Sequence, residues 1–169
     1  CCIFDGSPGG RTVDAAGHKI APDWSTLWRF AADTGVTFFG AGAAFYANCQ
    51  KAGLDLRDCG DLSRIRVLGS AGSPLSNDAQ TWGTEQFRQL HRAAGEDRGD
   101  IWWCNISGGT DFAGAFIGGN RELPLVPGEM QCRLLGCAVQ AWNEQGQPVM
   151  DEVGELVCTQ PIPSMPLYF

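Results

Sequence analysis

Ile101-Trp102-Trp103-Cys104-Asn105-Ile106 runs directly into Ser107-Gly108-Gly109-Thr110-Asp111. The first half is short, apolar and aromatic, the composition of a buried strand. The second half begins with small residues and ends in a hydroxyl and a carboxylate. In open α/β sheets ligands bind at the carboxyl ends of strands, so the joint predicts a strand that empties into a ligand crevice. Two glycines would let a ligand approach the backbone, Thr110 offers a donor to an anionic oxygen, and Asp111 offers hard oxygens to Mg²⁺. The residues predict a phosphate-and-metal corner.

Upstream of that corner, helix-like and strand-like patterns alternate. Asp23 can cap a helix carrying Leu27, Trp28, Phe30 and Ala31, with Gly35 at its end. Val36–Phe39 then reads as a strand, Ala43–Ala52 as a helix closed by Gly53, and Ile65–Leu68 as a strand broken by Gly69-Ser70-Ala71-Gly72-Ser73-Pro74. Ser76 opens an amphipathic helix marked by Trp82, Phe87 and Leu90, running to about Ala94. Cys1–Phe4 reads as a strand already under way. This order predicts α/β structure with parallel β/α units. Beyond residue 119, Met130–Leu135, Ala138–Trp142 and Glu155–Cys158 are short strand patterns with turns between them and no helix. They predict an antiparallel β segment, giving subdomains at 1–119 and 120–169. Trp102 and Trp103 read as core filling, and His18 and His91 as surface residues.

Composition limits the function classes. With 44% hydrophobic and 18% charged residues among 169, the chain is globular. Its net charge of −7 and 12 scattered basic residues argue against a nucleic-acid partner. No apolar run is long enough to span a bilayer and no leader pattern opens the chain, so a cytoplasmic protein is expected. Both ends, Cys1 without a preceding Met and the apolar Leu167-Tyr168-Phe169, read as cut from a longer polypeptide. The eight cysteines include no CxxC pair and lie far in sequence from both histidines, so they read as small hydrophobes rather than zinc ligands.

Gly40-Ala41-Gly42-Ala43-Ala44-Phe45 also follows a strand and opens a helix, the setting of a dinucleotide loop. Its sixth position is Phe, and Asp58 and Asp61 precede the next strand instead of ending it. An NAD-dependent oxidoreductase domain stays an alternative on this motif, although a tight strand-to-helix turn is the simpler reading. A non-catalytic nucleotide-binding module stays a second alternative.

Three segments in order, Gly69–Pro74, Ser107–Asp111 and Gly154-Glu155-Leu156-Val157, resemble the adenylate-forming superfamily of acyl-CoA synthetases, luciferases and nonribosomal-peptide adenylation domains. The wording Ile106–Asp111, Leu123-Pro124, Gly128–Cys132 and Pro163-Ser164-Met165-Pro166, with the opening Phe4–Pro8, is most similar to its acetoacetate-activating members. The resemblance implies a large N-terminal domain and a two-step ligase. A small-molecule acid attacks the α-phosphate of ATP with Mg²⁺ present, and the thiol of coenzyme A then displaces AMP. It implies that Gly72, Ser73 and Pro74 line the adenine side, and that Ser107, Gly108 and Gly109 flank the nucleotide. Thr110 would bond the phosphate, and Asp111 would stand where the family usually has a Glu on Mg²⁺.

Two departures qualify those roles. Ser107 stands where much of the superfamily stacks an aromatic ring on adenine. Gly108 stands where acetate-activating relatives have a Trp that closes the acyl pocket, which would leave room for a longer acid. Phe39–Ala44 would form another wall of that pocket, and Gly154-Glu155-Leu156 a structural turn into a strand. The family's Lys-bearing phosphate loop and its downstream ribose-binding Asp and catalytic Lys are not in this sequence. The chain alone is therefore expected to be inactive, its partner being the remainder of its own polypeptide.

Overall fold

The structure, a computed structural model, describes residues 1–168; Phe169, the end of the expected second subdomain, lies outside them. Two compact units divide between Cys104 and Asn105. The division falls earlier than the junction expected at residue 119, because the chain turns antiparallel as soon as it leaves the strand at Asn105.

In the first unit, α1 (Thr26–Thr34), β1 (Phe38–Gly42), α2 (Ala43–Lys51), β2 (Val67–Ala71), α3 (Asn77–Ala93) and β3 (Trp102–Asn105) follow one another, with a 3-10 turn at Leu56–Cys59. The sheet order is β1-β2-β3, and β1 and β2 pair in parallel. Local chemistry sets the helix ends. Gly35 takes a left-handed φ of 59° to close α1. The Ser76 hydroxyl accepts the Ala79 N–H at 3.2 Å to open α3. Asp23 acts two residues ahead of the α1 cap, Ser25. Its carboxylate accepts the Ser25 N–H at 3.0 Å and an Arg29 N–H at 2.6 Å. The Ser25 hydroxyl and then Arg29 hold its pKa down at about 2.

Several elements differ from expectation. Cys1–Phe4 is not a strand; the Phe4 ring packs on Phe30 with centroids 5.2 Å apart. β1 begins at Phe38 rather than Val36, and both β1 and β2 run on through the glycines read as their ends. A paired strand tolerates glycine where something lies close above it. Here a Cβ on Gly69 would stand 2.8 Å from the Phe38 ring. His91 is not a surface residue but 5% exposed, its ring edge-on to Phe87.

The core lies between one sheet face and the helices. Trp28 is fully buried and stacks on Phe39 with centroids 4.1 Å apart, and its indole N–H donates to Cys49 Sγ at 3.4 Å. Burial pushes the Cys49 thiol up to about 11, so it stays protonated and packs as a hydrophobe. Trp103 is fully buried as expected, edge-on to Tyr46, and its indole donates to the Thr84 hydroxyl at 3.0 Å.

The second unit is antiparallel, as expected for the end of the chain. β4 (Ser107–Gly109), β5 (Gly114–Gly118) and β6 (Cys132–Arg133) form one sheet. β7 (Val139–Trp142), β8 (Pro148–Val149) and β9 (Glu155–Cys158) form another in the order β8-β7-β9. β8 is too short to show in the sequence pattern. The Gln131 amide holds the intervening loop, accepting the Asn120 N–H and donating to the Leu123 carbonyl at 2.9 Å.

Gly83 supplies a sharp test of packing in the first unit. A Cβ there would stand 2.6 Å from Cζ2 of the immobile Trp103. Alanine should gain about 1 kcal/mol in helix propensity and lose about 1–3 kcal/mol to overpacking. Gly83→Ala is expected to lower the urea unfolding midpoint; an unchanged or raised midpoint would show that the helix and indole separate freely.

Candidate functional site

The expected site residues fall in both units. Gly72, Ser73 and Pro74 belong to the first, at the carboxyl end of β2. All three are exposed, whereas Leu75 is 7% exposed and anchors the segment before the Ser76 cap. Gly72 has φ of 84° and nothing within 4 Å of where a Cβ would stand. Its glycine therefore serves backbone conformation and not close approach. The Tyr46 hydroxyl, buried beneath the sheet, donates to the Gly69 carbonyl at 2.8 Å and fixes the strand from which this loop departs.

The neighbouring Gly40-Ala41-Gly42 is strand, with Gly42 as the N-cap of α2. The strand passes straight into the helix, the tight strand-to-helix turn of the simpler reading. Phe39 and Ala43, expected in an acyl-pocket wall, are 5% exposed, and Phe39 packs on Trp28 and Phe45 in the aromatic core.

Ser107–Asp111 belongs to the second unit and is not a loose loop. Ser107, Gly108 and Gly109 form β4, paired with β5 through the register Ser107↔Ile117, Gly108↔Ala115 and Gly109↔Gly114, with a bulge between Ser107 and Gly108. Thr110–Ala113 is the connecting turn, closed by the Ala113 N–H on the Thr110 carbonyl at 3.1 Å. Ala113 has φ of 50°. Phe112 stacks on Phe116 at 4.2 Å, and the Ser164 hydroxyl donates to the Phe112 carbonyl at 2.9 Å. Ser164 was noticed in the sequence only as part of a resemblance; a contact across 52 residues leaves no local pattern.

Thr110 and Asp111 stand exposed on this buttressed turn. Among the described residues neither side chain has a hydrogen-bond or ionic partner, and Asp111 caps no following segment. No group of three or more metal-binding side chains occurs among the described residues. A single free carboxylate beside a free hydroxyl still fits Mg²⁺, which keeps several waters and binds through one or two carboxylates plus substrate phosphates.

Gly108 does not open space where its side chain would stand. The place where its side chain would stand is taken by the backbone of β5, with the Gly114 carbonyl closest and the Ala115 Cα at 2.7 Å. Its missing side chain admits another strand, not an acyl group. Gly154 is alike: a Cβ there would stand 2.6 Å from the Trp142 carbonyl oxygen, which gives the Gly154-Glu155 turn its structural role.

No protein-family model matches the chain. It is nevertheless homologous to acetoacetyl-CoA synthetases along nearly its whole length. It is 36% identical over 168 residues to the acetoacetyl-coenzyme A synthetase of Rhizobium meliloti (strain 1021), covering 99% of this chain and 23% of that protein. It is 34% identical over 167 residues to the Gallus gallus enzyme, covering 99% and 22%. The chain thus spans less than a quarter of the curated relatives it matches. Among solved structures it is similar to the acetoacetyl-CoA synthetase from Streptomyces lividans, with a TM-score of 0.71 and 44% identity over 83% of this chain and 21% of that one. The fold is also that of an anthranilate CoA ligase solved with anthranoyl-AMP, with a TM-score of 0.59 at 20% identity over 78% of this chain and 23% of that one.

The obstruction at Gly108 lies in backbone, which a rotamer change cannot clear. Gly108→Ala and Gly154→Ala are each expected to cost about 1–3 kcal/mol of stability, read as a fall in the denaturant midpoint. A stable Gly108→Ala chain with an unchanged midpoint would refute the close pairing of β4 and β5.

Proposed function

We propose that this chain supplies the adenine-side and phosphate-side loops of an ATP-dependent acid–thiol ligase that activates acetoacetate or a similar short acid. The observation that carries the reading is the juxtaposition of Thr110 and Asp111, exposed and without a partner among the described residues on a buttressed hairpin turn, in a chain homologous to acetoacetyl-CoA synthetases. The acid carboxylate attacks the α-phosphate of ATP, pyrophosphate leaves, and the thiol of coenzyme A displaces AMP from the acyl-adenylate. Thr110 donates its hydroxyl to the phosphate at which charge moves. Asp111 holds Mg²⁺, which when bound neutralises phosphate charge. Gly72, Ser73 and Pro74 receive the adenine side, and the backbone of Ser107–Gly109 flanks the nucleotide.

Donors fixed before the reaction stabilise shifting charge without reorganising, and a turn held by Phe112, Phe116 and Ser164 meets that requirement. No helix among the described residues is long and apolar enough to cross a membrane; a cytoplasmic setting, where these substrates occur, completes the proposal. The chain by itself does not turn the nucleotide over, since the Lys-bearing phosphate loop and the catalytic Lys of such a site are not in this sequence.

Calorimetry with a non-hydrolysable acyl-adenylate analogue and with Mg·ATP tests this. A hydrogen bond to a charged group contributes about 1.5–3 kcal/mol, so Thr110→Ala is expected to weaken binding at least about tenfold, and Asp111→Asn to remove the Mg²⁺ dependence. Binding untouched by both changes would refute the site. ATP–pyrophosphate exchange by the chain alone, dependent on acetoacetate, would refute its inactivity.

A further inference from the structure

His91 lies in the last turn of α3, 5% exposed, and neither ring nitrogen makes a well-aligned hydrogen bond, although the Gly99 backbone lies alongside. Buried polar groups are nearly always paired, so a buried ring held this loosely requires an account. The chain leaving α3 folds back over this turn. The Glu96 N–H returns to the His91 carbonyl at 2.8 Å. Arg98 reaches across to the Ser63 carbonyl at 3.0 Å and grips Glu96 with both Nε and Nη2 at 2.5 Å. Arg88 of α3 holds Asp100 through two nitrogens, at 2.5 and 2.6 Å, immediately before Ile101 and β3. Residues 96–100 thus close over the helix end through three polar attachments.

The charged groups facing His91 are Arg98 and Glu96 from this segment and Arg66 from the approach to β2, with Phe87 on its own helix and the Gly99 backbone alongside. Arg66 and Arg98 converge on the same Ser63 carbonyl, at 2.6 and 3.0 Å. Glu96 is already committed to Arg98. A proton arriving on His91 therefore adds a third cation to a cluster whose one facing carboxylate is spent. Glu96, even paired with Arg98, the Gly99 backbone and the carbonyl end of α3 favour the charged ring, but burial and the two guanidinium groups oppose it.

We propose that residues 96–100 form a proton-sensitive clasp, closed over the C-terminal turn of α3 while His91 is neutral and released when its ring takes up a proton. The inference goes beyond the ligase reading and rests on the first unit alone. The sign follows from linkage. Burial, foremost, and Arg98 hold the His91 pKa below its ordinary 6.5 in the closed form. The open form binds the proton more readily. Closure is at full strength above pH 6.5 and weakens as pH falls below it, at most about tenfold per pH unit.

Amide exchange of residues 92–100 in the full chain, corrected for the intrinsic pH dependence of exchange, should show opening that rises several-fold from pH 7.5 to 5.5. In His91→Phe, which keeps an aromatic ring against Phe87 and cannot titrate, opening should stay constant over that range. Equal pH dependence in both chains would overturn the proposal. NMR titration of the unsubstituted His91 ring decides independently of whether the variant folds: a midpoint below 6.5 is expected, and one at or above 6.5 would overturn it. Arg98→Gln should raise that midpoint, and an unmoved midpoint would remove the charge cluster from the account.

Discussion

The stack of Trp28 on Phe39 is the contact on which the first unit depends. It joins α1 to the covered face of β1, while the indole N–H reaches Cys49 on α2 and so ties three elements with one side chain. Large aromatic rings bury much apolar area, and an indole can be fully buried only where its N–H finds a partner. Sheet register follows from this choice of face. Phe39 pairs with Leu68 and Phe38 with Val67, so a slip by one residue would bring Phe38 beneath Trp28 and expel Phe39. Tyr46 then fastens α2 to the Gly69 carbonyl. The exit of β2 toward Gly72–Pro74 is thereby fixed from inside the core rather than by the loop itself.

Much of this unit was legible because its signals are local. Ser76, Gly35 and Gly53 mark helix ends by capping chemistry that needs no distant partner. The strand ends were misread where glycine looked like a breaker, since Gly40 and Gly69 sit in paired strands under the Phe38 ring. His91 was misread from residue type alone. Its spacing was informative: Ala79, Gly83, Phe87 and His91 recur every fourth residue and all four are buried. A helix stripe of that kind predicts burial more reliably than the polarity of one member.

Glycine in the antiparallel unit shows where sequence reading stops. Gly108, Gly114 and Gly154 each lack a side chain because something else occupies the space, namely β5, the Ser164 hydroxyl and the backbone of Trp142. A ligand and a neighbouring strand make the same demand on sequence. Only the tertiary partner distinguishes them, and at Gly108 the partner is protein. The residue types at the candidate site were therefore legible, whereas the reason for Gly108 and the support from Ser164 were not.

Thr110 and Asp111 gain significance from the turn that carries them. Ala113 is held at φ of 50°, a region that costs an L residue about 1–2 kcal/mol. The turn persists because Phe112 is stacked on Phe116, its carbonyl is held by Ser164, and Ala113 bonds back to Thr110. A turn serving only to reverse the chain would be relieved by glycine at position 113. The stabilising contacts instead go to the ring and carbonyl of Phe112 and to the Ala113 N–H, and the two oxygen-bearing side chains stand exposed with no partner among the described residues. Backbone strain at Ala113 persists because these surrounding contacts over-determine the turn.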